Sequence, residues 1–157
     1  MANPDNGSVL AQRISELADA HGRHIATAES LTGGGISCEL GAAPGSSAWY
    51  RGSIVAYARE VKHGLLGVPP GPVVSEDCAR TMAERTADLL GADTVIAVTG
   101  AAGPDPQDDQ EPGTVWFALF DRGRVTTEKH VFDGAPDAVV ARTTHHALSL
   151  LATACRE

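Results

Sequence analysis

Lysine is nearly missing from this chain of 157 residues, in which Lys62 and Lys129 are the only two. Acidic residues outnumber basic ones, 20 against 12, and the formal net charge is −8 at pH 7. A surface of that sign argues against a generic binder of nucleic acid or of acidic membranes. It leaves room for a small phosphate-bearing ligand in a locally positive pocket. Cysteine is also scarce: Cys38, Cys78 and Cys155 are odd in number, widely spaced and form no CxxC pair. That argues against a disulfide framework or a zinc site and points to a reducing compartment. No apolar run approaches the length of a membrane span. Residues 1–8 are polar and lack the basic-then-apolar layout of a secretion signal. A cytoplasmic protein is expected, without nucleic acid or membrane among its partners.

A hydrophobic content of 43% over this length suits one domain with its own core. Residues 1–7 read as a disordered lead-in, and residues 8–157 as the domain. Ser8 reads as the cap of a first helix that Gly22 ends. A strand over 24–29, a helix over 32–40 and a small-residue turn over 41–47 follow. Next come a strand over 49–57, a short helix over 59–66, and a helix opened by Ser75 and stopped by Gly91. Residues 94–98 are continuously apolar, as in a strand buried on both faces. After a long loop over 100–112, two strands flank the turn Asp121-Arg122-Gly123-Arg124, and Ala135-Pro136-Asp137 opens a last helix. The order implies an α/β fold: one three-layer α/β/α domain with a mixed, mostly parallel sheet of about five strands. Ligands of such sheets sit beyond the carboxyl ends of strands.

Two segments fall there. The first is Thr27-Ala28-Glu29-Ser30-Leu31-Thr32-Gly33-Gly34-Gly35, a serine followed by glycines at a strand-to-helix corner. It suits a nucleophile with an oxyanion site or a small anion-binding turn, and equally a serine that caps the next helix. Neither a GxSxG elbow nor an SxxK pair is present, so a base for Ser30 has to come from elsewhere. Lys62, five residues after Tyr57, can reach the same sheet edge. A desolvated lysine serves as a base and a neighbouring tyrosine relays a proton. The ordinary alternatives are an exposed helix lysine and a core tyrosine with its hydroxyl at the surface. The second segment is Thr99-Gly100-Ala101-Ala102-Gly103-Pro104-Asp105, whose glycines let backbone approach a ligand and whose N–H groups can hold a phosphate. Arg51 can add charge, or be an ordinary edge-strand arginine. His145 and His146 are adjacent and point to different faces, and His63 reads as a solvated helix position. Asp105, Asp108, Asp109 and Glu111 lack calcium-loop spacing and read as a solvated acidic loop.

Together these segments resemble the nicotinamide-nucleotide amidase (PncC) family, the family of the C-terminal domain of the competence/damage-inducible protein CinA. The resemblance is carried by residues 27–34, Gly45-Ser46-Ser47-Ala48-Trp49, Tyr57-Ala58-Arg59-Glu60-Val61-Lys62 and Leu66-Gly67-Val68. It continues through Ser75-Glu76, residues 99–105 and Gly113-Thr114-Val115-Trp116, in family order from Leu10 to Leu151. It implies hydrolysis of the carboxamide of nicotinamide mononucleotide to nicotinic acid mononucleotide and ammonia, a step of pyridine nucleotide salvage. The implied catalytic residues are Ser30, Tyr57 and Lys62, with no metal and no cofactor. Glu29, Leu31, Thr32, Gly33, Gly34, Arg51, Thr99, Gly100, Ala101 and Gly103 are the implied substrate-binding set, and a homodimer is implied as the assembly. The chain also departs from the family pattern. Pro106-Gln107 stands where many members have Gly-Gly, and Glu111-Pro112-Gly113 replaces Lys-Pro-Val-Gly. Gly134-Ala135-Pro136 replaces Gly-Asp-Arg, removing an arginine. A non-catalytic nucleotide- or partner-binding module of the same fold, or a serine hydrolase of another amide, are the competing readings.

Overall fold

The computed structural model describes residues 7–157. Of the lead-in expected over residues 1–7, residues 1–6 lie outside them, and Gly7 already belongs to the first helix. In chain order the elements are α1 (Gly7–His21), β1 (Ile25–Glu29), α2 (Gly35–Gly41), α3 (Ser46–Trp49), β2 (Tyr50–Val55) and α4 (Arg59–Gly64). They continue with α5 (Glu76–Leu90), β3 (Thr94–Gly100), β4 (Thr114–Asp121), β5 (Arg124–Val131) and α6 (Pro136–Ala154). Ser8 therefore lies inside α1 rather than at its cap.

The five strands form one sheet in the order β2-β1-β3-β4-β5. β1 pairs in parallel with both β2 and β3, whereas β4 runs antiparallel to β3 and β5. The central strands are buried on both faces, which is why their sequences, IATAE and TVIAVTG, carry no charged residue before the strand ends. At the outer edge β5 alternates more than it is apolar, because only one of its faces is covered.

Two apolar layers clamp the sheet. On one side Ile14, Ile36, Leu40, Leu148 and Leu151 from α1, α2 and α6 pack on Ile25, Ile96, Val98, Val115 and Phe117. On the other side Cys78, Met82 and Ala83 of α5, with Leu66, Val68 and Val73 before it, pack on Ala26, Ala28, Val95 and Ala97. The small alanines on this second face of β1 and β3 let α5 sit close to the sheet. Ser75 caps α5 as its sequence implies, its hydroxyl accepting from the Cys78 N–H at 3.2 Å.

Several boundaries differ from the sequence reading: β2 ends at Val55, so Tyr57 lies past it, and α4 ends at Gly64. Trp49 does not begin β2 but closes the short helix α3, started by Gly45 with φ +65° and anchored by the buried indole. The helix expected from Thr32 begins three residues later, at Gly35. Residues 30–34 instead form a tight turn, with the Gly33 N–H on the Ser30 carbonyl and the Gly35 N–H on that of Thr32, both at 3.0 Å. Gly33 and Gly34, at φ +59° and +103°, supply the left-handed conformations that this turn requires.

Candidate active site

Ser30 sits immediately past the carboxyl end of β1, where the strand leaves the sheet and the turn begins. Its hydroxyl does not cap α2. The N-cap position belongs to Gly34, which makes no side-chain bond, and the orphan N–H groups are taken up by Glu29. This carboxylate is fully buried. Its Oε1 accepts from the Thr32 hydroxyl at 2.7 Å and from the N–H groups of Gly34 and Ile36 at 3.2 and 3.0 Å. Its Oε2 accepts from the Ser37 N–H at 2.8 Å, with the Thr27 and Ser53 hydroxyls at 3.3 and 3.4 Å. A buried anion is tolerated here because donors surround it and it faces the amino end of a helix. With Glu29 occupied in this way, Ser30 is left with a hydroxyl that has no hydrogen-bond partner among the described residues.

That hydroxyl opens into a cavity of about 300 Å³, lined also by Leu31, Tyr57, Lys62, Thr99 and the stretch from Gly100 to Gln107. Five elements converge on it: the ends of β1 and β3, the exit from β2, helix α4 and the long loop. Ser30 itself is only 5% exposed.

Lys62 contradicts the exposed-lysine alternative, with 2% of its surface accessible. It projects from α4 back toward the sheet, and its Nζ donates to the Tyr57 carbonyl at 3.1 Å. Burial pushes its pKa below the ordinary lysine value, and the nearby Arg59 charge adds to the effect. The Cys78 thiol beside it gives no counter-charge at neutral pH, because burial raises its own pKa to about 11. Cys78 in its thiolate form and the Asp108 carboxylate pull the Lys62 pKa back up, but burial outweighs them, and a desolvated amine with no carboxylate in salt-bridge contact is the environment that makes a lysine a base. Tyr57 also departs from its core-residue alternative: it is 70% exposed and stands at the mouth of the cavity.

The backbone donors sort themselves by what already binds them. Gly33, Gly34 and Gly35 spend their N–H groups inside the turn and on Glu29. Those of Leu31 and Thr32 have no partner among the described residues and remain beside Ser30. Across the cavity, the Ala101 N–H is fixed to the Thr114 carbonyl at 2.9 Å, while those of Ala102 and Gly103 are likewise unpartnered. Gly100 is required sterically, since a Cβ there would lie 2.8 Å from the Thr114 carbonyl oxygen. Thr99 lines the cavity but turns its hydroxyl to the Val73 carbonyl at 2.6 Å.

The structure thus brings Ser30, Leu31, Tyr57, Lys62, Thr99, Gly100, Ala101 and Gly103 to one cavity. Thr32, Gly33 and Gly34 form the turn behind it. Besides these three, two further residues of the expected binding set do not line the cavity. Glu29 turns its carboxylate away from the cavity, onto the turn and the start of α2. Arg51 lies near the amino end of β2, at the opposite end of the parallel strands, and its Nε donates to the Leu90 carbonyl at 2.9 Å. His63 does not reach the cavity either, its Nδ1 lying 2.8 Å from the Val68 carbonyl.

Asp108 reads in the sequence as part of a solvated acidic loop, because one aspartate among several has no distinguishing local pattern. Far from being solvated, its Oδ2 accepts from the N–H groups of Val73 and Val74 at 2.8 and 3.0 Å, and its Oδ1 from Arg59 at 2.7 Å. Burial pushes its pKa up, but the bonds from Arg59, Val74 and Val73 outweigh this and hold the carboxyl below the ordinary range. This one carboxylate pins the long loop over the segment that leads into α5. The loop wall is thereby built at a set distance from Ser30.

Relatives carry the same architecture. A family model described as the CinA C-terminal domain matches residues 8–155. The nicotinamide-nucleotide amidohydrolase PncC of Pseudomonas putida is 40% identical over 147 residues, covering 90% of this chain and 92% of that protein. A CinA-like protein of Geobacter sulfurreducens is 40% identical over 157 residues, covering 96% of this chain but 38% of its own length. This chain therefore spans well under half of that longer relative. The crystal structure of a CinA superfamily protein from Klebsiella pneumoniae, 35% identical, superposes with a TM-score of 0.91 over 96% of this chain and 98% of that one. Among the described residues no helix is long and apolar enough to cross a membrane. The chain belongs to the CinA C-terminal domain family.

Proposed function

We propose that this protein is an amidohydrolase that converts nicotinamide mononucleotide to nicotinic acid mononucleotide and ammonia, with Ser30 as nucleophile. The observation that carries the reading is the buried Lys62, with its lowered pKa, on the wall of the cavity that holds the unpartnered Ser30 hydroxyl. The name of the Pseudomonas putida relative supports the substrate.

In this mechanism the neutral Lys62 amine takes the Ser30 proton as Oγ attacks the carboxamide carbon. The carbonyl π electrons move to oxygen, and the N–H groups of Leu31 and Thr32 stabilise the resulting oxyanion. Collapse breaks the C–N bond, and the proton held by Lys62, passed directly or through Tyr57, leaves with ammonia. Water then attacks the acyl-serine, giving up its proton to the same base, and the carboxylate product departs as Ser30 regains its proton. In this reading the N–H groups of Ala102 and Gly103, free of other partners among the described residues, receive the nucleotide's phosphate.

The test is ammonia release from nicotinamide mononucleotide by wild type and Ser30→Ala side by side. Turnover by the first and none by the second is expected, with both proteins folded. A folded wild type that binds the nucleotide, releases no ammonia and is indifferent to Ser30→Ala would make the protein a binding module. Turnover of other amides in preference would move the assignment to a different substrate.

A further inference from the structure

One cluster of side chains takes no part in the chemistry above. Glu128 and His130 lie two apart on β5 and so share one face of the strand, while His146 reaches over from α6, which lies on the same side of the sheet, its ring against Phe117, the β4 neighbour of Glu128. Their ligating atoms all lie within 4.8 Å of one another. Both imidazole Nε2 atoms converge on a single carboxylate oxygen, Glu128 Oε1, that of His130 at 3.0 Å and that of His146 in direct contact. None of the three lines the Ser30 cavity.

We propose that Glu128, His130 and His146 bind a divalent transition-metal ion, with Zn²⁺ as the probe of choice, and that the ion clips α6 to the edge strand β5. Two imidazoles and one carboxylate are a donor set for such ions, and three protein ligands leave a position for water. The rings are held in place before any ion arrives. His130 stacks on Phe132 with centroids 5.5 Å apart and an interplanar angle of 8°. His146 meets the edge of Phe117 at 4.8 Å, and the two imidazoles are 4.3 Å apart. Orientation by packing removes much of the ordering that a flexible site would have to undergo. The side chains are half-buried, so an ion can enter from solvent. No cation competes from within the motif: Lys129, between two of the ligands in sequence, is turned to the other face, 6.0 Å from the Trp116 ring centroid.

The sequence conceals this site because it joins an i, i+2 pair on a strand to a helix residue sixteen positions further on. The pair His145-His146 draws the eye, and only His146 belongs. The proposal is independent of the amidase reading, since it concerns a different part of the sheet and is read by metal binding alone.

The experiment is calorimetric titration of chelator-stripped full-length protein with Zn²⁺, repeated with Co²⁺ to record its visible absorption and with Mg²⁺ as an oxygen-preferring control. One Zn²⁺ per chain is expected, with a tetrahedral-type cobalt spectrum and no Mg²⁺ binding. Glu128→Gln and His146→Asn should each weaken Zn²⁺ binding by about tenfold or more, and His145→Asn should leave it unchanged. At about 100 times the dissociation constant, Zn²⁺ should raise the thermal midpoint by about 5–11 °C. Should His146→Asn fail to fold, the near-isosteric Glu128→Gln carries the test. Wild type that binds no Zn²⁺, or binds it as Glu128→Gln does, overturns the proposal and leaves the cluster a carboxylate hydrogen-bonded between two histidines. Loss of binding in His145→Asn overturns it as well.

Discussion

The buried carboxylate of Glu29 offers the sharpest test of how the turn around Ser30 is built. In Glu29→Gln the side chain keeps its shape and loses its charge. The remaining carbonyl oxygen can serve the three donors now on Oε1, namely the Thr32 hydroxyl and the Gly34 and Ile36 N–H groups. The new amide NH₂ must then face the Ser37 N–H, 2.8 Å from the present Oε2. Donor would meet donor there. One hydrogen bond to a charged group is lost outright, about 1.5–3 kcal/mol, and the surviving bonds lose their charge assistance. The expected destabilisation is about 3 kcal/mol. For a chain of this size that lowers the thermal midpoint by about 6–12 °C, which leaves a folded protein to study. Thermal and urea denaturation at pH 7 measure it, with an unchanged urea slope as the sign that the native fold is kept. Because Glu29 supports the turn that carries the Leu31 and Thr32 N–H groups, kcat should fall while KM changes little. A midpoint within about 1 °C of wild type would refute the supporting role. A raised KM with kcat intact would instead make Glu29 the substrate contact that the family resemblance implies.

Other expectations follow from the same geometry. Lys62→Met should abolish ammonia release yet stabilise the fold at pH 7 by about 1 kcal/mol or more, because it removes a buried charge whose desolvation outweighs the attraction of Cys78 and Asp108. Since the folded state holds the Lys62 pKa below its unfolded value, the penalty is full below the folded pKa and fades as pH rises through it. The gain in thermal midpoint should therefore shrink in alkaline buffer, and wild-type kcat/KM should rise with pH through that same lowered pKa. Asp108→Ala strips two backbone N–H groups and Arg59 of their acceptor and should cost roughly 2–3 kcal/mol, with a raised KM from a loosened loop. Because the folded Asp108 carboxyl titrates below its unfolded value, its contribution is present above the unfolded pKa and lost as pH falls through the folded one. Urea denaturation of both proteins across pH 2–7 measures that convergence. Arg51→Ala, at the far end of β2, should leave KM unchanged in the ammonia assay, and a marked rise would return Arg51 to the binding site.

Much of this site was legible before any coordinates. Glycines after a serine at a strand end, a continuous apolar run before a second glycine turn, and a rare lysine one helical turn past a strand exit are local patterns. Each follows from the period of an element or the φ requirement of a turn, and these operate over a few residues. Hence β1, β3, α5 with its Ser75 cap and the β4–β5 hairpin appear close to where the sequence puts them. The family resemblance added roles to Ser30, Tyr57 and Lys62 that pattern alone had left open.

What the local pattern could not decide was which distant groups meet. Glu29 and Arg51 are both polar residues on strands beside the site in sequence. One is turned inward onto α2 and the other stands at the wrong end of the sheet, a difference set by strand direction and register. Asp108 looked like one more acid in a solvated loop until packing brought it against the Val73 and Val74 N–H groups. Trp49 has the composition of a strand residue, but burial of its ring against the α1 and α2 layer made it the end of a helix. Glu128, His130 and His146 converge only because α6 lies on the side of the sheet that Glu128 and His130 face. The sequence by itself determined the elements and the chemistry available at their ends, since these depend on neighbours along the chain. The tertiary structure alone decided which side chains are buried, which donors are already occupied and which are left for a ligand, because each depends on groups brought together across the sheet.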